Sequence, residues 1–145
     1  MAQKTTNQIA REIAGIMPKV GRWILFEFFQ SIEMPSAQIF AIMTVAEHGR
    51  CTFGELSGLL KVSAPTVTGI VDRLEKSGHT RRVRSREDRR VIHVELTVKG
   101  EKVAKQLRGV IEEKWVSIVS DLPKSDAENY LRILKKIQVQ IQGDQ

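Results

Sequence analysis

The fold class predicted by this sequence is mainly α with one small β-hairpin (α+β): a winged helix-turn-helix carried between longer helices. Three observations predict it. Apolar residues recur at spacings of three and four over most of the 145 residues. Two helix start signals, at Thr52 and Ser63, stand a short helix and a turn apart. Behind them the apolar period drops from 3.6 to 2 on either side of an arginine-rich tip.

The elements follow in order. Residues 5–33 carry Ile9, Ile13, Ile16, Val20 and Ile24 as one helical stripe. Pro18 lies inside it and should kink or restart the helix, because it lacks an N–H and clashes with the preceding turn. After SIEMPS, Ser36 is placed to cap a second helix, AQIFAIMTVAEH, which Gly49 ends. Thr52 with Glu55 three residues on forms a capping box, opening a short helix with Phe53, Leu56, Leu59 and Leu60 as its core positions. Ser63 is a good N-cap and Pro65 is tolerated in a first turn, so APTVTGIVDRLEKSG reads as the next helix. Val67, Ile70, Val71 and Leu74 share its inner face and Gly78 stops it. HTRRV and IHVEL are then two short strands around SREDRR. Thr97 can cap a long helix bearing Val103, Leu107, Val110, Ile111, Trp115, Ile118 and Val119, which Pro123 ends. Ser125 or Asp126 starts a last helix with Tyr130, Leu131, Leu134, Ile137 and Ile141 on one side.

Charge narrows the function classes. The net charge is +6, and residues 61–90 hold nine Lys or Arg against four acids, a local excess of +5. Residues 81–90, RRVRSREDRR, alone contain six arginines and two acids. Self-repulsion makes such a cluster unfavourable unless an opposite charge meets it, and a basic stripe on one segment is the footprint of a nucleic-acid binder. No run approaches the roughly 18 apolar residues of a membrane span. The segment MAQKTTNQIAREIAG is polar and amphipathic and lacks the apolar centre of a signal peptide, and no engagement with membranes is expected. Cys51 is the single cysteine, so there is no internal disulfide; a buried structural thiol is favoured over a redox sensor. His48, His79 and His93 are too dispersed for a metal site, and no cofactor motif is present. No nucleophile-base arrangement, phosphate loop or paired carboxylates stand out, so an enzyme is not expected. Trp23, Phe26, Phe28, Phe29 and Trp115 suit core or interface better than a ligand pocket.

A helix pair joined by a tight turn places its second helix in the DNA major groove. The exposed positions at the start of that helix, Ser63, Ala64, Pro65, Thr66 and Thr68, are small, so the backbone can approach base edges. Their hydroxyls and methyls can contact phosphates, bases and thymine methyls. Arg73, further along, could reach a phosphate or a guanine. On the hairpin, Arg90 is the residue expected to enter a minor groove, with Asp88 fixing its guanidinium and Arg86 as a second contact. Arg81, Arg82 and Arg84 are expected to follow the phosphates.

These residues resemble the MarR family of transcriptional regulators (multiple antibiotic resistance type). The likeness runs from about Met34 to Val103, through PSAQIFAI, FGELSGLLKVSAPTVTGIVDRLEKSG, REDRR and VELTVKG. It implies residues 1–34 as an N-terminal dimerisation helix, 35–98 as the winged helix-turn-helix DNA-binding domain, and 99–145 as C-terminal dimerisation helices. It further implies a cytoplasmic homodimer on a palindromic double-stranded operator, usually a repressor, released by a small phenolic or aromatic effector or by oxidation. The family's D-x-R wing motif carries over to Asp88 and Arg90, and its recognition-helix contacts to Ser63 through Thr68. Two departures stand out. His79 and Thr80 occupy positions usually apolar in the family, which puts the packing under the wing in question, and Pro35 stands where threonine is common. The competing reading is an effector-independent winged helix used for DNA architecture or protein contacts; it would carry a neutral or acidic wing and a bulky recognition helix, the reverse of this chain.

Overall fold

The computed structural model describes residues 3–143, and Glu27 by its backbone alone. Residues 1, 2, 144 and 145, the outer ends of the two expected dimerisation segments, lie outside the described residues. The elements are α1 (Thr6–Gln30), α2 (Ser36–His48), β1 (Cys51–Thr52), α3 (Phe53–Leu60), α4 (Ala64–Lys76), β2 (Thr80–Arg84), β3 (Ile92–Leu96), α5 (Val98–Ser120) and α6 (Lys124–Gly143). They fall into two compact units, residues 1–110 and 111–145. Among the described residues no helix is long and apolar enough to cross a membrane.

In the first unit, α2, α3 and α4 enclose a core closed on one side by a three-stranded antiparallel sheet of order β1-β3-β2. Ile42 and Val45 from α2, Leu56 from α3, and Val67, Val71 and Leu74 from α4 are all essentially inaccessible. Leu59, expected with them, is 45% exposed. On an eight-residue helix, Phe53, Leu56 and Leu60 already define the inward face, and Leu59 falls to its side. The strand β1 is absent from the sequence reading: two residues are too short to show alternation, yet Cys51 pairs with Val94 and Thr52 with His93. Cys51 is buried there, and burial, helped by the nearby Glu55 charge, pushes its thiol pKa up. That environment suits a packing thiol rather than a reactive one.

Several boundaries differ from expectation for local reasons. Pro18 sits within a helix that does not restart, running from Thr6 to Gln30. Proline leaves the Ala14 carbonyl without its donor, but Ala14 and Pro18 are exposed and water can serve that carbonyl. Ser36 is the first helical residue of α2 rather than its cap. Pro35 holds that place with φ −57° and ψ 139°, and its carbonyl accepts from the N–H groups of Gln38 and Ile39. Helix α6 begins at Lys124, one residue before Ser125, because the Pro123 carbonyl accepts from the N–H groups of Asp126 and Ala127. The strand β2 starts at Thr80, one residue after His79. The capping box stands as read: the Thr52 hydroxyl accepts from the Glu55 N–H at 3.1 Å, and the Glu55 carboxylate accepts from the Thr52 N–H at 2.7 Å.

The end of α4 is tied to the start of α5. Gly78 adopts φ +79°, and the N–H groups of Gly78 and His79 return to the carbonyls of Glu75 and Leu74, a Schellman closure. The His79 carbonyl then accepts from the Thr97 N–H at 3.0 Å, while the Thr97 hydroxyl donates to the Gly78 carbonyl at 2.6 Å. Lys99 Nζ donates to the Ser77 carbonyl at 2.8 Å. His79 and Thr80, which stand where the family is usually apolar, are both buried. His79 satisfies its Nδ1 locally against the Ser77 hydroxyl at 2.7 Å. Burial, with Lys99 nearby, holds its imidazole pKa below the ordinary value, so the neutral form packs there.

A Cβ added at Gly100 would stand 2.1 Å from the His79 carbonyl oxygen, a backbone atom that cannot rotate aside. Gly100→Ala should therefore force α5 away from the end of α4 and destabilise the chain by about 2–4 kcal/mol. The urea midpoint checks this, and an unchanged midpoint would show that α5 is free to shift.

Candidate nucleic-acid interface

Helix α4 presents its first turn outward. Ser63 is its N-cap, extended at φ −68° and ψ 156°, with its hydroxyl accepting from the Thr66 N–H. Pro65 occupies the first turn, where its missing N–H costs nothing. Ser63, Ala64, Pro65, Thr66 and Thr68 are all exposed, and no acid lies in that turn. The Ser63 and Thr66 hydroxyls meet at 2.8 Å, and the Thr68 hydroxyl donates to the Ala64 carbonyl at 3.1 Å. These bonds fix rotamers and leave lone pairs available, so the surface is small, ordered and polar. Arg73 is exposed in the last turns of the same helix.

The wing is the β2–β3 ribbon, registered from Thr80↔Leu96 to Arg84↔Ile92. Its tip is built by short backbone bonds. The Ser85 N–H donates to the Val91 carbonyl, and the Val91 N–H donates to the Asp88 carbonyl, each at 2.9 Å. The Asp88 carboxylate holds Arg90 at three points: Oδ1 accepts from the backbone N–H at 3.0 Å and from Nε at 3.2 Å, and Oδ2 accepts from Nη2 at 3.3 Å. The Arg90 side chain is nonetheless 91% exposed, oriented by its carboxylate partner yet open to solvent. The bonds from the Arg90 side chain, then from its backbone, hold the Asp88 carboxyl below the ordinary aspartate range. Arg84, Arg86 and Arg89 are exposed, with no carboxylate ion pair among the described residues.

Two more of the six arginines are paired with the chain's own acids. Arg81, expected along the phosphates, reaches across the ribbon to Glu95 at 3.0 Å. Arg82, expected there too, turns back to α4. Its Nη2 donates to Asp72 Oδ1 at 2.6 Å, its Nη1 to the Glu75 carboxylate, and its own N–H to Glu75 Oε1 at 3.3 Å. Its guanidinium also lies 5.3 Å from the Phe53 ring centroid, within cation–π range. Asp72, Glu75 and Phe53 were thus missed as partners. The available signal was the i, i+3 spacing of the two acids on the outer side of α4, which leaves two carboxylates on one face beside a basic strand.

The model of the MarR family matches residues 34–92, which span α2 to the start of β3. The chain is 30% identical to the uncharacterized HTH-type transcriptional regulator YsmB of Bacillus subtilis over 134 residues, covering 92% of this chain and 86% of that protein. A MarR family protein from Bacillus stearothermophilus has the same fold with a TM-score of 0.86 at 20% identity, over 96% of this chain and 99% of that one. FabT of Streptococcus pneumoniae, solved in complex with DNA, superimposes with a TM-score of 0.75 at 21% identity, over 97% of this chain and 100% of its own.

The Asp88–Arg90 tether has a testable pH dependence. A depressed carboxyl pKa means the ionised partner is present throughout the neutral range and is lost only as pH falls through the depressed value. In an NMR titration the Arg90 Nε–H resonance should hold steady on acidification and move only below pH 3.8, the ordinary aspartate value. Movement centred above that value would show that Arg90 is not held by Asp88.

Proposed function

The chain belongs to the MarR family of transcriptional regulators, a DNA-binding helix-turn-helix regulator and not an enzyme, and from that premise we propose that it acts as a homodimeric repressor on a palindromic operator. The observation that carries the reading is the joint exposure, on linked elements, of a small polar helix start and an arginine held in place at the wing tip. In this reading Ser63, Ala64, Pro65, Thr66 and Thr68 face base edges in the major groove, Arg73 reaches a phosphate or guanine, and Arg90, oriented by Asp88, enters the adjacent minor groove. Arg86 is a second wing contact beside Arg90, and Arg84 follows the phosphates. Residues 35–98 are the DNA-binding domain, and 1–34 with 99–145 form the dimer.

The case for two copies rests on uncovered apolar surface. On α1, Ile9, Ile13 and Ile16 are 46%, 53% and 57% exposed. Helix α6 has no buried residue, and Leu131, Ile133, Leu134, Ile137 and Ile141 are all open. Stripes of that length on two helices exceed what a monomer ordinarily leaves in water, and a symmetric copy would cover both. Two recognition helices would then occupy successive major grooves about ten base pairs apart. Release by a small phenolic or aromatic effector belongs to the same proposal, with its support in the family resemblance.

Selection of duplexes from a random library by the purified chain should return an inverted repeat. On that duplex, Arg90→Ala should weaken binding by ~1–3 kcal/mol and flatten the base preference where the wing sits; unchanged affinity at physiological salt removes Arg90 from the surface. Sedimentation should find a dimer at micromolar concentration, and a stable monomer would remove the proposed symmetry.

A further inference from the structure

Arg82 stands apart from the other wing arginines. Its side chain is 34% exposed, against 64% for Arg81 and 91% for Arg90. Strand register places it opposite Val94, which is 1% exposed, so it leaves the ribbon on the face turned toward the core. There it meets two other elements at once: α4, through Asp72 and Glu75, and the start of α3, through the Phe53 ring. The two carboxylates sit three residues apart on one helix face, a span that a planar guanidinium can fork across and a lysine ammonium cannot.

We propose that Arg82 is a positioning residue, not a DNA contact: with Asp72, Glu75 and Phe53 it clamps the wing to the recognition helix and so sets the angle at which one protomer reads two adjacent grooves. The proposal rests on the reading of this surface as a DNA interface. The clamp also explains acids on that helix. Left unpaired, Asp72 and Glu75 would repel phosphate; paired, they spend their charge on geometry. A base-reading surface split between a helix and a ribbon works as a unit only if their relative orientation is held, because a misplacement of one ångström breaks hydrogen bonds on one side or the other.

Charge-neutral replacement of the acids separates the clamp from a simple cation. Asp72→Asn together with Glu75→Gln removes two negative charges and makes the surface more basic. If Arg82 were a phosphate contact held back by those acids, the variant would bind all DNA more tightly, its selected duplex included. The clamp requires the opposite divergence. Affinity for a random duplex rises, while the ratio of selected to random affinity falls about tenfold, the order of one lost base-pair contact. Arg82→Lys should show the same fallen ratio, with the slope of log affinity against log salt kept at the wild-type value, whereas Arg84→Ala should reduce that slope. The acid variant is near-isosteric and Arg82→Lys keeps the charge, both at exposed or half-exposed positions, and thermal unfolding verifies that each remains folded. A ratio unchanged or raised in the acid variant, or a salt slope lowered by Arg82→Lys as it is by Arg84→Ala, overturns the clamp. Failure of the wild-type chain to select any duplex overturns the interface reading instead, so the two failures are distinct.

Discussion

The geometry of the first unit depends on one close approach, that of the α5 backbone to the carbonyl of His79. That carbonyl lies just after the recognition helix and just before the wing, accepts the Thr97 N–H, and faces Gly100 where any side chain would collide with it. Three elements therefore leave one point in fixed directions: α4 arriving, β2 departing, α5 passing across. The Schellman closure at Gly78 sets the arrival, and the Thr97 and Lys99 contacts to the carbonyls of Gly78 and Ser77 lock the crossing. His79 is buried because this point is buried. An imidazole is accepted there since its Nδ1 finds the Ser77 hydroxyl and its neutral form is the favoured one. The family usually places an apolar residue at this position; a neutral histidine with a local partner meets the same packing requirement.

From that point outward, structure is written in charge. Six arginines on a narrow ribbon would repel one another, and the fold divides them. Arg81 is paired across the ribbon to Glu95, Arg82 back to α4, and Arg90 within the tip to Asp88. Arg84, Arg86 and Arg89 carry no carboxylate partner among the described residues. The pairing is therefore not uniform screening. The paired set ties strand to strand, ribbon to helix and Arg90 to the tip. The unpaired set leaves positive charge open to solvent, where a polyanion would meet it in the proposed function.

How far this was legible in the sequence depended on the range of the signal. Local devices read directly. The Thr52–Glu55 box, the Ser63 cap, the Gly49 and Gly78 stops and the Asp88–Arg90 tether each lie within four residues, and all are present. The buried face of α4 read correctly because a 3.6-residue period is local too. What did not read directly was of two kinds: a choice between neighbouring residues of one element, and a contact that a distant segment decides. Ser36 looked like a cap, but the preceding proline carbonyl took that role. Leu59 looked like core, but Phe53, Leu56 and Leu60 already make the inward face of so short a helix, and Leu59 falls beside it. The strand β1 exists only because β3, some forty residues on, offers it a free edge. Arg82 looked like any other wing cation because its partners lie seven and ten residues back, across a turn whose direction composition does not disclose.

That last case bears on how such a surface achieves specificity. Cations free to meet phosphate raise affinity for every sequence alike, since phosphate contacts carry no base information. A regulator facing a genome of competing sites gains from the ratio of specific to random affinity, and extra free arginines do not improve that ratio. Tying Arg81 and Arg82 to the protein's own acids lowers the indiscriminate term. Under the proposed reading it would also stiffen the frame that holds the base-reading groups, which raises the discriminating one. On the proposed interface, acidic residues on the helix are then no paradox: Asp72 and Glu75 would remove a cation from the phosphate field and convert its charge into a fixed angle between helix and wing.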